Sequence, residues 1–154
     1  MKLNATVHEL IGASVLCWLA TADTDGFPNV SPKEIFAACG DDEIIVASIA
    51  SPVTAANIAA NPKVCLSFVD VFRQKGFKIK GLADSLDPSH AGFAARAATL
   101  QALAGPKFEI TSLHRIKIAR ISRILAPSYS QYPETDEAEM IASAYATYRV
   151  SPVE

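Results

Sequence analysis

Short apolar runs alternate with compact polar breaks along the chain, and the breaks mark out strands and helices in turn. Residues 4 to 12 predict a short helix that Asn4 can cap and Gly12 can end. Ser14 to Thr21 (SVLCWLAT) suits a buried strand, and Asp23-Thr24-Asp25-Gly26 is a turn with glycine placed for positive φ. Phe27 to Ala38 then returns antiparallel as a hairpin arm. After Gly40-Asp41-Asp42, the run Glu43 to Ser48, with Ile44-Ile45-Val46 at its centre, predicts a strand in the middle of the sheet.

Ser51-Pro52 pairs a favoured N-cap with a favoured first helical residue, so a helix is expected from Pro52 to about Ala60, stopped by Asn61-Pro62. Strands follow at Val64 to Val71 and Lys75 to Leu86. A helix is predicted from about Ser89 to Leu103, closed by Gly105-Pro106, then a strand seen best in His114 to Leu125 and an amphipathic helix over roughly Glu134 to Arg149. Six strands joined mostly by short turns predict one domain over residues 1–154. Its expected class is mainly β with peripheral helices (α+β), an antiparallel barrel rather than a βαβ sandwich.

Alternation places Asn29, Ser31 and Lys33 on one face of their strand, with Val30 and Pro32 on the other. Two prolines remove ladder donors and put this strand at an edge or bulge. Free N–H groups at the helix start, with the hydroxyls of Ser51 and Thr54, make a candidate anion site beside the small Ala50. A solvent-facing polar stripe and an ordinary capped helix would read the same way. In Lys75-Gly76-Phe77-Lys78-Ile79-Lys80-Gly81 the two glycines are the unusual feature, since they let a flat ligand lie against backbone.

Composition narrows the classes. Half the residues are apolar, 19% are charged and the net charge is −2, which gives a packed core and no general basic footprint for nucleic acid. No run reaches the ~18 apolar residues of a membrane span, and the interrupted segment from Leu10 to Ala22 reads as helix and strand rather than a cleaved leader. Cys17, Cys39 and Cys65 form no CxxC and read as reduced thiols of a cytoplasmic protein. His8, His90 and His114 lack metal spacing, and no Ser, Cys or Thr sits in a nucleophile elbow, so no metal ligand or catalytic residue is assigned.

Taken in order, Asp25 to Lys33, then Ser51-Pro52-Val53-Thr54 with Asn57-Ile58 and Asn61-Pro62-Lys63-Val64, then Lys75 to Gly81, resemble the pyridoxamine 5'-phosphate oxidase-related FMN-binding proteins over roughly residues 5 to 126. The resemblance implies a six-stranded antiparallel split β-barrel and a homodimer with FMN at the subunit interface. It implies a cofactor-binding set of Asn29, Val30, Ser31, Lys33, Ser48, Ile49, Ser51, Thr54, Asn57, Lys75 and Gly76. Lys33 matches the family's strand cation and Ser51 its serine, whereas Pro52 and Val53 replace an Arg-Lys pair. Phosphate would then be held more by backbone donors and hydroxyls. Residues 126–132 lack the arginine and histidine that contact substrate in the vitamin B6 oxidases, which argues against that activity. The expected function is an FMN-dependent oxidoreductase acting on a small molecule or electron donor; the alternative is a non-catalytic flavin, haem or deazaflavin binder or redox sensor of the same fold.

Overall fold

The computed structural model describes residues 1–153. Seven strands form one antiparallel sheet: β1 Cys17–Ala22, β2 Pro28–Lys33, β3 Phe36–Cys39, β4 Glu43–Ala47, β5 Lys63–Asp70, β6 Lys75–Leu86 and β7 Leu113–Leu125. Their order is β2-β1-β5-β6-β7-β4-β3. The two outermost strands are consecutive in the chain, so the sheet curls back on itself as a split barrel with helices around it. The expected α+β barrel is therefore present, with seven strands in place of six.

The extra strand comes from a break in the run 27–38. At Lys33 the chain reaches the beginning of β1, its partner in the Cys17↔Lys33 pair, and has nothing further to pair with there. It bends at Glu34-Ile35 and takes up β4 through Phe36↔Val46, with Ala47 N donating to Ile35 O. Proline-bearing β2 is an edge strand, as its missing donors require. β4 lies one strand in from the opposite edge, and the centre belongs to β6.

Five helices surround the sheet: α1 Ala5–Ala13, α2 Pro52–Ala60, α3 Phe93–Ala104, α4 Ser128–Gln131 and α5 Glu137–Tyr148. Asn4 caps α1 through Val7 N at 3.0 Å, but the helix runs through Gly12 to a Ser14 cap. α3 begins four residues later than Ser89. Asp87 binds Ser89 N at 2.8 Å in a local turn, and Gly92 at φ +78° breaks the helical path before Phe93. α5 starts at the Asp136 cap rather than Glu134. No described helix is long and apolar enough to cross a membrane.

Two apolar cores lie on opposite faces of the curl. The inner one joins Leu19, Ile44, Leu66, Phe68, Ile79 and Ile116 to Val7 and Ile11 of α1. The outer one packs Phe93 and Leu100 of α3 on Ile45, Leu86 and Leu113. The glycines of β6 are required by this sheet. A Cβ at Gly76 would stand 2.0 Å from Phe68 O, and one at Gly81 2.4 Å from Lys117 O, where the ladder slips by a residue. The close approach the sequence suggested is made by neighbouring strands.

Candidate functional site

Alternation along β2 turns Asn29, Ser31 and Lys33 inward, and α2 closes over them from across the barrel end. Ser31 Oγ and Thr54 Oγ1 lie 3.3 Å apart, joining strand to helix. Asn57 Nδ2 donates to Thr21 Oγ1 at 3.0 Å, and Asn29 Nδ2 reaches the same oxygen and Ser31 Oγ, each at 3.4 Å. Thr21, absent from the predicted set, is thus the shared acceptor of the cluster. It follows Cys17 and Leu19 on the buried face of β1, where its hydroxyl needs partners from another element.

Lys33 is 6% exposed. Its Nζ donates to Ser51 Oγ, and Ser51 Oγ donates in turn to Ile49 O at 3.1 Å. Ser51 occupies the N-cap position of α2 with Pro52 at the first turn, as expected, but its side chain makes no cap hydrogen bond. It has turned toward the ammonium instead, which leaves the first N–H groups of α2 without a side-chain acceptor. Ala50, just before it, sits at φ +48°, an uncommon conformation for a residue with a Cβ.

No carboxylate among the described residues pairs with Lys33. Burial accordingly pushes its pKa below the ordinary lysine value, offset in part by the nearby Cys17. Cys17, its cross-strand partner, is driven up to about 12 by burial and stays a thiol. His114 lies fully enclosed on β7, with Nδ1 3.0 Å from Ser85 Oγ and Nε2 without a partner. Burial, with a smaller push from Lys33, holds it at about 4, so it is neutral at physiological pH.

A cavity of about 240 Å³ opens beside Lys33 and Ser51, lined also by Ile35, Ala47, Ile49 and Phe108. Ile49 of the predicted set therefore reaches it, while Ser48 is held by Ser112: its N donates to Ser112 O at 3.1 Å and its carbonyl accepts from Ser112 Oγ at 3.4 Å. Val30 points its side chain to the other face, 55% exposed, behind Trp18 and Pro32.

Lys75 and Gly76 lie elsewhere, three strands along the sheet on β6. They line a separate cavity of about 440 Å³ with Leu10, Arg73, Phe77 and Arg123. There Lys75 pairs with Glu137 and sits 4.3 Å over the Tyr129 ring. The structure thus brings Asn29, Ser31, Lys33, Ser51, Thr54 and Asn57 together and leaves the β6 pair apart. The described residues contain no group of three or more His, Cys, Asp or Glu arranged for a metal ion.

A split antiparallel barrel with a buried lysine set against a helix start defines a class of small barrel proteins. Residues 3–124 match the sequence model of the pyridoxamine 5'-phosphate oxidase family, and the chain belongs to that family. Among solved structures it is similar to HupZ of Group A Streptococcus, at 25% identity and TM-score 0.71, covering 80% of this chain and 95% of that one. An FMN-binding protein of Syntrophomonas wolfei follows the same fold at 20% identity and TM-score 0.65, covering 76% and 82% of the two chains. So does HutZ, the heme storage protein of Vibrio cholerae, at 18% identity and TM-score 0.61, covering 81% and 95%. No curated protein matches the sequence.

Proposed function

We propose that the chain is an FMN-binding oxidoreductase of a small-molecule substrate other than a B6 vitamer, with the flavin phosphate held at Lys33, Ser51 and the start of α2. The observation that carries this reading is the enclosed Lys33 ammonium, which has a hydroxyl for company and no carboxylate. A buried charge is costly without an opposite one. A phosphate would supply that charge, and the uncapped N–H groups of α2 would add donors. The missing Arg-Lys pair fits this arrangement, since Pro52 and Val53 leave hydroxyls and backbone as the other partners.

When bound, FMN supplies the redox chemistry, and the protein contributes binding, orientation and electrostatics. The cavity beside Lys33 is smaller than the ~300–1,000 Å³ of a complete ligand pocket, so it receives one end of the cofactor. In this reading a second copy of the chain completes the rest, with Lys75–Gly76 toward the ring. The apolar patch of Trp18, Val30 and Pro32 on the outer face of β1 and β2 is the surface for that copy. The three free cysteines accord with a reducing, cytoplasmic setting, and recovery of the protein outside the cytoplasm on cell fractionation would remove that assignment.

Absorbance near ~450 nm in the purified protein, or its appearance on titration with FMN, is expected. No flavin signal and no binding would end the reading, and a monomer in sedimentation at micromolar concentration would end the shared-site arrangement. A second reading, a flavin, haem or deazaflavin binder without turnover, is favoured by the cavity lining. Its only described ionisable groups are Lys33 and Glu34, and no histidine reaches it. FMN-loaded protein that NADH and NADPH fail to reduce would favour the binder.

A further inference from the structure

The cavity beside Lys33 has a second wall. α3 ends at Gly105, whose φ of +67° turns the chain through one tight 3-10 turn, Gly105–Lys107, and brings Phe108 to the cavity. Gln101 holds this segment with three hydrogen bonds. Its Nε2 donates to Gly105 O and to Phe108 O, both at 2.7 Å, and its Oε1 accepts from Ile110 N at 3.1 Å. Ile110 is then anchored in the outer core.

The ring presented by this fixed loop is not buried in return. Phe108 is 43% exposed, with Lys107 Nζ at 5.7 Å from the ring centroid. Ile35, Ala47 and Ile49 extend the apolar surface inward from it toward the Lys33 ammonium. Ordering a loop carries an entropic cost, and here that cost places half of an aromatic ring in water beside an unpaired charge. Such a surface matches a ligand with an anionic end and an apolar stretch next to it.

We propose that Phe108 is a specificity-determining residue of the anion site: it packs against the carbon chain leaving the phosphate, so that the cavity takes organic phosphomonoesters in preference to inorganic phosphate. This rests on the reading of Lys33 as an anion site. Gln101 is the positioning residue, acting through the loop and not through the ligand.

The test compares wild type, Phe108→Ala, Phe108→Leu and Gln101→Ala for equilibrium binding of FMN, naphthyl phosphate and inorganic phosphate. Phe108→Ala is expected to weaken both esters roughly tenfold, the scale of one lost aromatic contact, and to leave inorganic phosphate unchanged. Phe108→Leu should restore most of the ester affinity, and Gln101→Ala should weaken the esters less than Phe108→Ala does. Ester binding unchanged in Phe108→Ala, or an equal loss for the esters and inorganic phosphate, overturns the assignment. If FMN fails to bind wild type while naphthyl phosphate binds through Phe108, the FMN reading falls and this one stands. If FMN binds wild type and Phe108→Ala equally, the reverse holds, and if no probe binds, both fall.

Discussion

Two lysines of this chain, Lys33 on β2 and Lys75 on β6, show opposite solutions to the same problem. Lys75 is half exposed, and its charge is met by Glu137, with Arg73 bridging Glu137 and Asp70 alongside. Tyr129 adds its ring and donates its hydroxyl to Arg73 O at 2.9 Å, while Phe72 packs at a tilt against Tyr145, with ring centroids 4.9 Å apart. Arg73, Lys75, Asp70 and Glu137 are all paired at that hairpin tip, and the result is a clasp fastening residues 126–148 to the sheet. The Lys33 end has the reverse balance: an enclosed ammonium and an enclosed imidazole, with hydroxyls as partners and no carboxylate paired to either, although Glu34 lines the same cavity. The paired surface cation is accounted for by the tertiary structure around it, whereas the unpaired buried one is the charge that the proposed phosphate would answer.

Acidification breaks the comparison most strongly, because only the Lys33 end holds a buried base that resists protonation. His114 sits at about 4 when folded, against an ordinary 6.5. Its folded pKa is depressed, so the unfolded chain takes up the proton first as pH falls from 6.5 toward 4. Stability is complete above the unfolded value and declines through that window by about 3 kcal/mol. The clasp carboxylates titrate lower, with Glu137 held down by its hydrogen bonds to Lys75 and Arg73 and Asp70 by those from Arg73 and Phe72 despite partial burial. Urea unfolding at pH 7, 5.5 and 4.5 should show the decline in wild type and a flatter profile in His114→Gln. Equal profiles would mean that His114 is not the group responsible.

Ligand affinity sharpens the contrast next. Lys33→Ala should weaken FMN by about 1–3 kcal/mol, the scale of a charge-assisted contact, while leaving the unliganded fold as stable or more so, since a desolvated charge is removed. Lys75→Ala should cost less in FMN affinity because its charge is already answered by Glu137. Titration of both variants checks this, and a larger loss at Lys75 would reverse the assignment of the phosphate end.

How much of this was legible in the sequence depended on whether the deciding contact was local. Ser51-Pro52 marked the start of α2, and the prolines of β2 marked an edge, because proline's fixed φ and missing donor act within a few residues, even though the Ser51 cap bond is not made. Alternation along β2 also told which residues share a face. It gave no sign that α2 would bring Asn57 over to Thr21, since that bond spans 36 residues and depends on how the barrel end is closed. The split of the run 27–38 was hidden for the same reason: Glu34-Ile35 is where the chain changes pairing partner, which only the assembled sheet decides. Gly76 and Gly81 were visible as unusual, but the strands that crowd them were not. Phe108 and the Gln101 clip were missed because a single aromatic after Gly-Pro carries no period.

The smallest expected effect lies at the clasp, and it tests whether pairing there is merely structural. Glu137→Gln removes the negative charge shared by Arg73 and Lys75, keeps one of the two acceptor oxygens and leaves the Phe72–Tyr145 contact in place. Exposed ion pairs are screened by water and salt, so the loss should appear as a small drop in Tm that shrinks at about 1 M salt. α5 buries little besides Ala144, so its attachment depends on these contacts more than a core helix would. Limited proteolysis should therefore cut within residues 126–148 faster in the variant, while the body of the barrel stays intact. FMN affinity within twofold of wild type would place the clasp outside the phosphate site. A loss as large as that of Lys33→Ala would instead join the two ends of the molecule into one functional unit.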